Sequence, residues 1–423
     1  MLMFLMVTGC STPEISGKVT GAVSSGVTIT LSGGKSASTT TDSSGNYSFA
    51  GLGNGSYTVT PSLAGYTFNP TSTTVYIVNN NNQLANFTAT AEASSSVSKF
   101  AYTANSGSNN ISVYTINQTT GALTYVTSVA AGSNPVSVTV NPSGEFVYAA
   151  NYGDNTISVY TINQTTGALT PGTPAAVAAG SEPQSVAVDP LGTFVYAANY
   201  GNNTILVYTI NQTTGALTYV TSVATGSYPV SITIDHLGRF AYVTNSADYD
   251  IWAYTIDQST GALTYVMSIA AGNNPRSITV DPSGEFVYTA NSGDGTISVY
   301  TINQTTGALT AGTAVAAGLY PVSVTVDPLG NFVYAANENS NTISIYTIDQ
   351  SSGALTYVTS AATGSYPVSV TIDASGQFAY AANYGDNTIS VYTINQTTGA
   401  LTLVTTGSAG AGPQCVTTTT GAI

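Results

Sequence analysis

A short sequence that recurs seven times constrains the fold of this chain more than any other feature. Its fullest form is Phe-Val-Tyr-Ala-Ala-Asn, a gap of a few residues, and Ile-Ser-Val-Tyr-Thr-Ile-Asn-Gln-Thr-Thr-Gly-Ala-Leu. The copies are 46 residues apart, except for one interval of 48. A fixed period of this length indicates a solenoid or a propeller, because each copy is one structural unit that packs on its neighbours. The copies begin at Phe100, Phe146, Phe194, Phe240, Phe286, Phe332 and Phe378.

A complete repeat contains four segments that predict β-strands. In the second copy the first segment is residues 135–140, and the turn Asn-Pro-Ser-Gly joins it to residues 146–150. A polar loop leads to residues 157–162, and the hairpin Asn-Gln-Thr-Thr-Gly leads to a fourth segment that begins at Ala168. Proline presets φ in such a turn and glycine accepts positive φ. Four antiparallel strands in a repeat of this length predict one propeller blade.

The C-terminus predicts how the ring closes. The chain enters the first repeat at Phe100, so that repeat lacks the segment that comes first in the others. The missing counterpart is residues 413–420, Pro-Gln-Cys-Val-Thr-Thr-Thr-Thr. We therefore expect a seven-bladed propeller over residues 99–423, whose C-terminal strand completes the first blade and so removes the open edges.

Composition supports an all-β fold and excludes one class of partner. Hydrophobic residues make up 43% of the 423 residues, and Tyr and Phe number 29 and 11. Aromatic and β-branched residues favour strands. Five Lys and Arg residues stand against 19 Asp and Glu residues. So few cations cannot neutralise a nucleic-acid backbone or bind an acidic membrane surface, and we expect no nucleic-acid partner.

Residues 15–90 predict a separate small β-sandwich, because short segments alternate apolar and polar residues between Gly- and Ser-rich turns. The run 42–59 contains a D-x-x-G turn, an aromatic strand, L-x-x-G and a Y-x-V strand. This pattern resembles the carboxypeptidase-regulatory-like (transthyretin-like) module. The resemblance implies a spacer or adhesive unit. Residues 91–98 predict a flexible linker.

The first ten residues predict a targeting segment, because their apolar run is too short to span a membrane. Val-Thr-Gly-Cys, ending at Cys10, resembles the lipobox of bacterial lipoproteins, which implies lipidation of Cys10. The alternative is an ordinary secretory peptide. Both alternatives predict an extracytoplasmic protein. Cys415 is the second cysteine of the chain, so lipidation of Cys10 would leave no intramolecular disulfide.

The repeats resemble the YVTN β-propeller repeats of the lactonase-like superfamily. Residues 242–245 spell Tyr-Val-Thr-Asn, and Thr-Gly-Ala-Leu-Thr recurs after the third segment. The resemblance covers residues 99–423. It implies a seven-bladed propeller. Members include 6-phosphogluconolactonase-like hydrolases, muconate-lactonising relatives and secreted proteins without known activity. The resemblance also implies that a catalytic site would lie on the face where the first strands begin.

Two residues are candidates for lactone chemistry, which needs a base or a metal to activate water and a cation or donor for the oxyanion. The histidine of the chain, His236, lies in a Asp-His-Leu-Gly turn on the opposite face, so we interpret it as a turn substitution. Arg276 interrupts a ring of mostly apolar residues and is the first catalytic candidate, and Glu182 is its candidate acidic counterpart. The alternative is a solvated arginine paired with a nearby carboxylate. The other residues of that ring are Val136, Gln184, Val230, Val322, Val368 and Gln414.

The same face predicts a binding rim. Tyrosine can stack on a sugar ring, and Asp248 and Asp250 form the densest carboxylate pair, a candidate Ca²⁺ site. The alternative is that Asn and Asp recur here because tight turns require them. The predicted rim consists of Gln184, Tyr228, Arg276, Tyr320, Tyr366 and Gln414.

Two functional hypotheses follow. The first is a surface-anchored, non-catalytic propeller that acts in binding, adhesion or scaffolding, with a carbohydrate or another surface protein as its partner. Its membrane contact would be the lipid anchor alone. The second is a lactonase-type hydrolase that uses the loop face around Arg276. Neither hypothesis requires a cofactor, and Ca²⁺ is an alternative at the rim.

Overall fold

The structure is a computed structural model that describes residues 13–21, 23–63, 66–78, 83–91 and 98–419. The predicted signal segment with Cys10, and most of the predicted linker, lie outside the described residues. The chain divides into two units, Met1–Ser95 and Ser96–Ile423. Within the described ranges, no helix has the length and apolarity that a membrane crossing requires.

The N-terminal unit consists of two β-sheets that share one apolar core. Alternate residues of each strand point into that core, as in β5, where Tyr57 and Val59 are buried between exposed or half-buried neighbours. One sheet has the order β4-β1-β9-β6, with β8 beside β1, and the other has the order β3-β2-β5-β7. The strands are β1 Glu14–Gly21, β2 Thr28–Gly33, β3 Ala37–Thr40, β4 Asn46–Ala50, β5 Gly55–Ser62, β6 Tyr66–Asn69, β7 Thr73–Ile77, β8 Gln83–Leu84 and β9 Phe87–Ala91.

The described part of the second unit forms seven antiparallel sheets, one for each blade, of which six have four strands and one has its fourth strand divided in two. The predicted all-β propeller is confirmed. The innermost strands are β13 Pro135–Val140, β17 Pro183–Val188, β21 Pro229–Ile234, β25 Pro275–Val280, β30 Pro321–Val326, β34 Pro367–Ile372 and β38 Pro413–Thr418. The second strands are β10 Phe100–Asn105, β14 Phe146–Asn151, β18 Phe194–Asn199, β22 Phe240–Asn245, β26 Phe286–Asn291, β31 Phe332–Asn337 and β35 Phe378–Asn383.

The third and fourth strands complete each blade. The third strands are β11 Asn110–Ile116, β15 Thr156–Ile162, β19 Thr204–Ile210, β23 Asp250–Ile256, β27 Thr296–Ile302, β32 Thr342–Ile348 and β36 Thr388–Ile394. The fourth strands are β12 Leu123–Ala130, β16 Leu169–Ala178, β20 Leu217–Ala224, β24 Leu263–Ala270, β33 Leu355–Ala362 and β37 Leu401–Ser408. The fifth blade differs from the prediction, because its fourth strand is divided into β28 Leu309–Ala311 and β29 Val315–Ala316.

The ring closes as predicted. Strand β38 pairs with β10, and the sheet order of the first blade is β12-β11-β10-β38. The innermost strands contact one another in sequence, and β38 contacts both β34 and β13. The propeller is therefore a continuous ring in which a C-terminal strand and three strands from the first repeat form one sheet.

The recurring Phe and Tyr connect each blade to the next. Phe100 packs against Gly167 in the second blade, where an added Cβ would lie 2.4 Å from the phenyl ring. Tyr102 donates a 3.0 Å hydrogen bond to the carbonyl oxygen of the same glycine. Gly167 has φ of +74°, which a glycine adopts without strain. The same pair of contacts recurs around the ring, so these repeated residues build the interfaces between blades.

Candidate functional site

A β-bulge lies at the start of every innermost strand. In the second blade Pro135 pairs with Asn151 while Ser137 pairs with Ala150, so the residue between them has no partner across the sheet. The other six blades have the same irregularity. Because a bulge re-aims the local side chains, the second and third residues of each innermost strand both face the axis of the ring.

These residues line a cavity of about 370 Å³ at the beginning of the innermost strands. Its volume falls within the range of small-molecule sites. The wall residues are Val136, Ser137, Gln184, Ser185, Val230, Ser231, Arg276, Ser277, Val322, Ser323, Val368, Ser369, Gln414 and Cys415. Two more lining residues, Glu338 and Tyr384, come from the loops between second and third strands.

A ring of hydroxyl groups, from the third residue of six innermost strands, forms part of the cavity wall. Six serine Oγ atoms each accept a hydrogen bond from a backbone N–H of the following blade, at 3.1 to 3.4 Å. Cys415 takes the seventh position, and its Sγ donates to the carbonyl oxygen of Val138 at 3.6 Å. Burial raises the pKa of the Cys415 thiol, which disfavours the nucleophilic thiolate. Cys415 therefore acts as part of the wall.

Arg276 is the cation of this cavity, in the position that the sequence analysis singled out. All five Lys and Arg residues are described, and Lys18 and Lys35 belong to the N-terminal unit. The Arg239 guanidinium lies 3.1 Å from Asp235 in the turn that follows β21. Arg276 alone among them lines the cavity. Gln184 and Gln414, two further predicted rim residues, also line it.

Glu338 is the acidic residue that lines the cavity with Arg276, and sequence reasoning did not select it. It begins a short 3₁₀ turn, Glu338–Ser340, and its backbone N–H donates a 2.9 Å hydrogen bond to the carbonyl oxygen of Tyr320. Burial raises the pKa of the Glu338 carboxyl, and the Arg276 guanidinium opposes that effect more weakly. A signal was present, because this position follows the repeated Asn and holds Ser or Tyr in the other blades. Those residues are Ser106, Tyr152, Tyr200, Ser246, Ser292 and Tyr384.

Glu182, which the sequence paired with Arg276, lies elsewhere. It precedes the first residue of β17 and does not line the cavity. Its N–H donates a 2.7 Å hydrogen bond to Asn155 Oδ1. The Glu182 carboxylate lies beside Tyr152, and burial together with this carboxylate raises the pKa of the Tyr152 hydroxyl. The acidic residue placed with Arg276 is thus Glu338.

The predicted rim tyrosines occupy one position in three different blades, immediately before the innermost strand. Tyr228 precedes β21 and stacks on Tyr200, with ring centroids 4.5 Å apart and an angle of 15° between the rings. Tyr320 and Tyr366 precede β30 and β34. All three have φ between 53° and 58°. They therefore lie just outside the cavity wall, next to the residues that form it.

The candidate Ca²⁺ ligands have partners within the chain. Asp248 Oδ2 accepts a 2.6 Å hydrogen bond from the Ser227 N–H. Asp250 accepts from Asn245 Nδ2 and from Trp252 Nε1, both at 2.9 Å. Across the described residues there is no group of three or more His, Cys, Asp or Glu side chains that could hold a metal ion.

His236 lies at the other end of its strand from the cavity. The cavity is formed where β21 begins, whereas His236 is in the turn after β21 ends. This turn is held by Asp235, which accepts hydrogen bonds from the backbone N–H groups of Arg239 and Phe240. The position of His236 agrees with its interpretation as a turn residue.

Comparison with known families gives two matches. A family model described as lactonase, 7-bladed beta-propeller, matches residues 60–186, 171–268, 231–326 and 320–418. A model described as carboxypeptidase regulatory-like domain matches residues 14–90. No curated protein sequence matches the chain.

Several solved structures share the propeller fold. A "putative 6-phosphogluconolactonase" from Bacteroides uniformis is 23% identical, with a TM-score of 0.67, covering 75% of this chain and 98% of its own. A protein from Lactobacillus plantarum is 22% identical, with a TM-score of 0.67 and coverage of 76% and 99%. The periplasmic gluconolactonase PpgL of Pseudomonas aeruginosa is 17% identical, with a TM-score of 0.66 and coverage of 77% and 100%. At these identities the similarity establishes the fold.

Proposed function

This chain belongs to the lactonase family of seven-bladed β-propellers, and from that membership we propose that it hydrolyses a sugar-derived lactone in the cavity around Arg276 and Glu338. Family membership favours the second of the two functional hypotheses over the non-catalytic one. The observation that carries the proposal is that a carboxyl with a raised pKa and a guanidinium line one cavity. Perturbed ionisable groups that converge in a cleft are typical of catalytic sites.

The proposed chemistry assigns a different role to each group. Glu338, in its carboxylate form, removes a proton from a water molecule whose oxygen attacks the lactone carbonyl carbon. Arg276 stabilises the negative charge that develops on the carbonyl oxygen. The bond between the carbonyl carbon and the ring oxygen then breaks, and the protonated Glu338 returns the proton to the departing oxygen. The product is the open hydroxy acid, and Glu338 is again a carboxylate.

The surrounding wall suits a polyhydroxylated substrate. Gln184 and Gln414 each offer an amide donor and acceptor, and the serine hydroxyls extend this polar surface. Val136 and Val230 supply the apolar part of the wall. A sugar lactone has hydroxyl groups on a hydrocarbon ring, so this mixture complements it.

The test measures the rate at which the protein hydrolyses glucono-δ-lactone. A pH-stat titrates the acid that is released, and the spontaneous rate of hydrolysis is subtracted. We expect Glu338→Gln to reduce kcat/KM by about 100-fold or more, and Arg276→Gln to reduce it by a similar factor. Glu285→Gln, an exposed change in a turn of the fifth blade, is the matched control and should retain the parent rate. A parent protein with no activity above the spontaneous rate, on this lactone and on a panel of others, would reject the proposal.

A second candidate function is non-catalytic carbohydrate binding. The stacked pair of Tyr200 and Tyr228 favours it, because an aromatic surface beside a polar cavity can bind a sugar without any reaction. Saccharide binding measured by calorimetry, in a protein that hydrolyses no lactone, would support this second function.

The Val-Thr-Gly-Cys motif also supports the proposal that this chemistry takes place outside the cytosol, on a protein anchored through Cys10. Metabolic labelling with a radioactive fatty acid in a bacterial host tests it. Label that is present in the parent and absent from Cys10→Ser is expected, and an unlabelled parent would contradict the anchor.

A further inference from the structure

The residue before each innermost strand has a left-handed backbone in all seven blades. Its φ lies between 52° and 65°. Two blades have asparagine here and one has glycine, residues that adopt this conformation readily. The other four have tyrosine or glutamate, for which positive φ is unfavourable. The seven residues are Asn134, Glu182, Tyr228, Asn274, Tyr320, Tyr366 and Gly412.

The backbone does not require tyrosine at this position, since Asn134 and Asn274 make the same turn. In the second and fourth blades the carbonyl oxygen of this residue accepts a hydrogen bond from the residue after the repeated Asn. In both blades its own N–H donates to an Asn side chain of the preceding blade. Tyr228 is therefore strained where Asn134 is not, although both make the same bonds. Strain that the fold does not need is a mark of a functional position.

The tyrosines of three adjacent blades form one aromatic cluster. Tyr200 stacks on Tyr228 at 4.5 Å, and Tyr152 lies 6.5 Å from Tyr200 at an angle of 51°. Tyr228 keeps 45% of its surface exposed. Tyr228 does not itself line the cavity, but it is two residues before Val230, which does, so this cluster lies next to the cavity wall. We call Tyr152, Tyr200 and Tyr228 the tyrosine platform.

Charge argues against a phosphorylated ligand. Arg276 is the cation of the cavity and shares it with Glu338, so the cavity gains no net positive charge from this pair. Glu182 adds a carboxylate beside the platform. The chain carries a formal net charge of −14. A phosphate dianion would thus meet one guanidinium, with the Glu338 carboxyl in the same cavity, on a negatively charged protein. This charge distribution disfavours its approach.

We propose that the tyrosine platform is a subsite for the sugar units next to the lactone ring, and that the substrate is the lactone end of an unphosphorylated oligosaccharide. This inference rests on the proposed lactonase function, and it adds the substrate class. The lactone ring occupies the cavity between Arg276 and Glu338. The C–H face of the following sugar packs on the exposed part of Tyr228, where a flat aromatic ring buries apolar surface at little cost in side-chain entropy.

The test compares two substrates that differ by one sugar. Glucono-δ-lactone is the single ring, and lactobiono-δ-lactone carries a galactose on the same ring. We expect the parent to have about tenfold higher kcat/KM for the disaccharide lactone. We expect glucono-δ-lactone 6-phosphate to be a poorer substrate than either.

Tyr228→Asn is the deciding variant, because asparagine already occupies this turn in two blades and the fold should be kept. It should lower the ratio of the two kcat/KM values by about fivefold to tenfold. Tyr200→Ala should do the same. Tyr76→Ala removes an exposed tyrosine from the N-terminal unit and should leave the ratio unchanged. An unchanged ratio in Tyr228→Asn, in a protein that still hydrolyses glucono-δ-lactone, would overturn the subsite and leave the proposed function intact.

A binding measurement distinguishes failure of the proposed subsite from failure of the proposed lactonase function. Calorimetry with lactobionate, the open form of the disaccharide lactone, reports the platform without any reaction. If the parent hydrolyses no lactone but binds lactobionate, and Tyr228→Asn weakens that binding, the lactonase function fails and the carbohydrate subsite remains. Lactobionate binding of equal strength in the parent and in Tyr228→Asn would overturn the subsite whether or not lactones are hydrolysed.

Discussion

The hydroxyl of Tyr380 donates a 3.0 Å hydrogen bond to the carbonyl oxygen of Gly121, 259 residues away along the chain. This bond joins the seventh blade to the first, across the point where the ring closes. Gly121 has φ of +72°, and an added Cβ would lie 2.4 Å from Phe378. The closing interface therefore uses the same glycine contact as the other six interfaces.

We expect Gly121→Ala to destabilise the propeller by about 2–4 kcal/mol, because it combines a left-handed alanine with overpacking against Phe378. Gly407→Ala is the matched control, since nothing lies within 4 Å of its added Cβ. Urea unfolding of both variants measures the difference. Equal stability of the two variants would contradict the interface described here.

Removal of the closing strand should be more severe than removal of the residues after it. We expect a chain truncated after Gly410, which lacks β38, to lose several kcal/mol of stability, on the order of a lost core strand. A chain truncated after Thr419 should unfold like the parent. Thr419 Oγ1 accepts hydrogen bonds from the N–H groups of Lys99 and Phe100, so this end point keeps both β38 and the contacts of Thr419 with the first blade. The measurement is thermal unfolding, and melting of the shorter chain within a degree or two of the parent would contradict closure by β38.

Relief of strain at the platform should stabilise the protein. We expect Tyr228→Asn to raise the free energy of unfolding by up to about 1 kcal/mol, because asparagine adopts positive φ at lower cost than tyrosine. The stacking of Tyr228 on Tyr200 opposes this gain. Asn134→Tyr makes the reverse change in the second blade and should destabilise it. Denaturant unfolding of both variants tests the prediction, which fails if the two variants shift stability in the same direction.

The pH dependence of hydrolysis should report Glu338. A general base acts when deprotonated, so kcat/KM should rise as pH increases through the raised pKa of Glu338 in the free enzyme. Arg276 lowers that pKa, and Arg276→Gln should therefore move the acidic limb of the profile to higher pH. Lys35→Gln also removes one positive charge, from the N-terminal unit, and should leave the acidic limb of the profile at the same pH. An acidic limb at the same pH in Arg276→Gln would contradict the electrostatic coupling of the two groups.

The buried turn carboxylates should make stability depend on pH in a defined direction. Asp189 Oδ1 accepts 2.6 Å hydrogen bonds from the N–H groups of Thr193 and Phe194, yet burial raises the pKa of its carboxyl above the ordinary value. The ionised form is thus disfavoured in the folded state. We expect Asp189→Asn to stabilise the protein at neutral pH by up to about 1 kcal/mol, and this gain should decline as pH falls through the raised pKa.

Asp257 provides a control in which the pKa shift, and therefore the expected change in stability, has the opposite sign. Hydrogen bonds from Ser259 lower the pKa of this exposed carboxyl, so the folded state favours its ionised form. Asp257→Asn should lose some stability at neutral pH, and the loss should disappear in acid as the carboxylate of the parent becomes protonated. Chemical unfolding of both variants at several pH values tests the pair. Identical pH dependence in the two variants would show that these turns do not titrate as described.

The second blade has asparagine, Asn141, at the position of Asp189, which shows that this turn tolerates the change Asp189→Asn. Asn141 Oδ1 accepts hydrogen bonds from Glu145 and Phe146 in the second blade, in the manner of Asp189 in the third. The expected gain in Asp189→Asn thus comes from removal of a buried charge, with the hydrogen bonds retained.

Much of the site could be found from departures from the repeat. Arg276 interrupts a ring that is otherwise Val and Gln, and the structure places it in the cavity wall. Glu338 departs from its own repeat position just as clearly, but the sequence did not show that its loop points to the axis. Glu182 departs too, and its left-handed backbone, with φ of +56°, places it outside the wall and beside Tyr152.

The repeat determined the ring, the number of blades and the strand that closes it, because each copy of Phe100 and Tyr102 packs against the next copy of one glycine turn. Seven equivalent environments make such residues predictable from a single unit. The presence of Glu338 in the same cavity as Arg276, and the stacking of Tyr200 on Tyr228, were decided by the tertiary structure alone. The direction of a side chain on a loop depends on backbone angles, on the bulge beside it and on the neighbouring blade, and none of these is encoded in the spacing of the repeat.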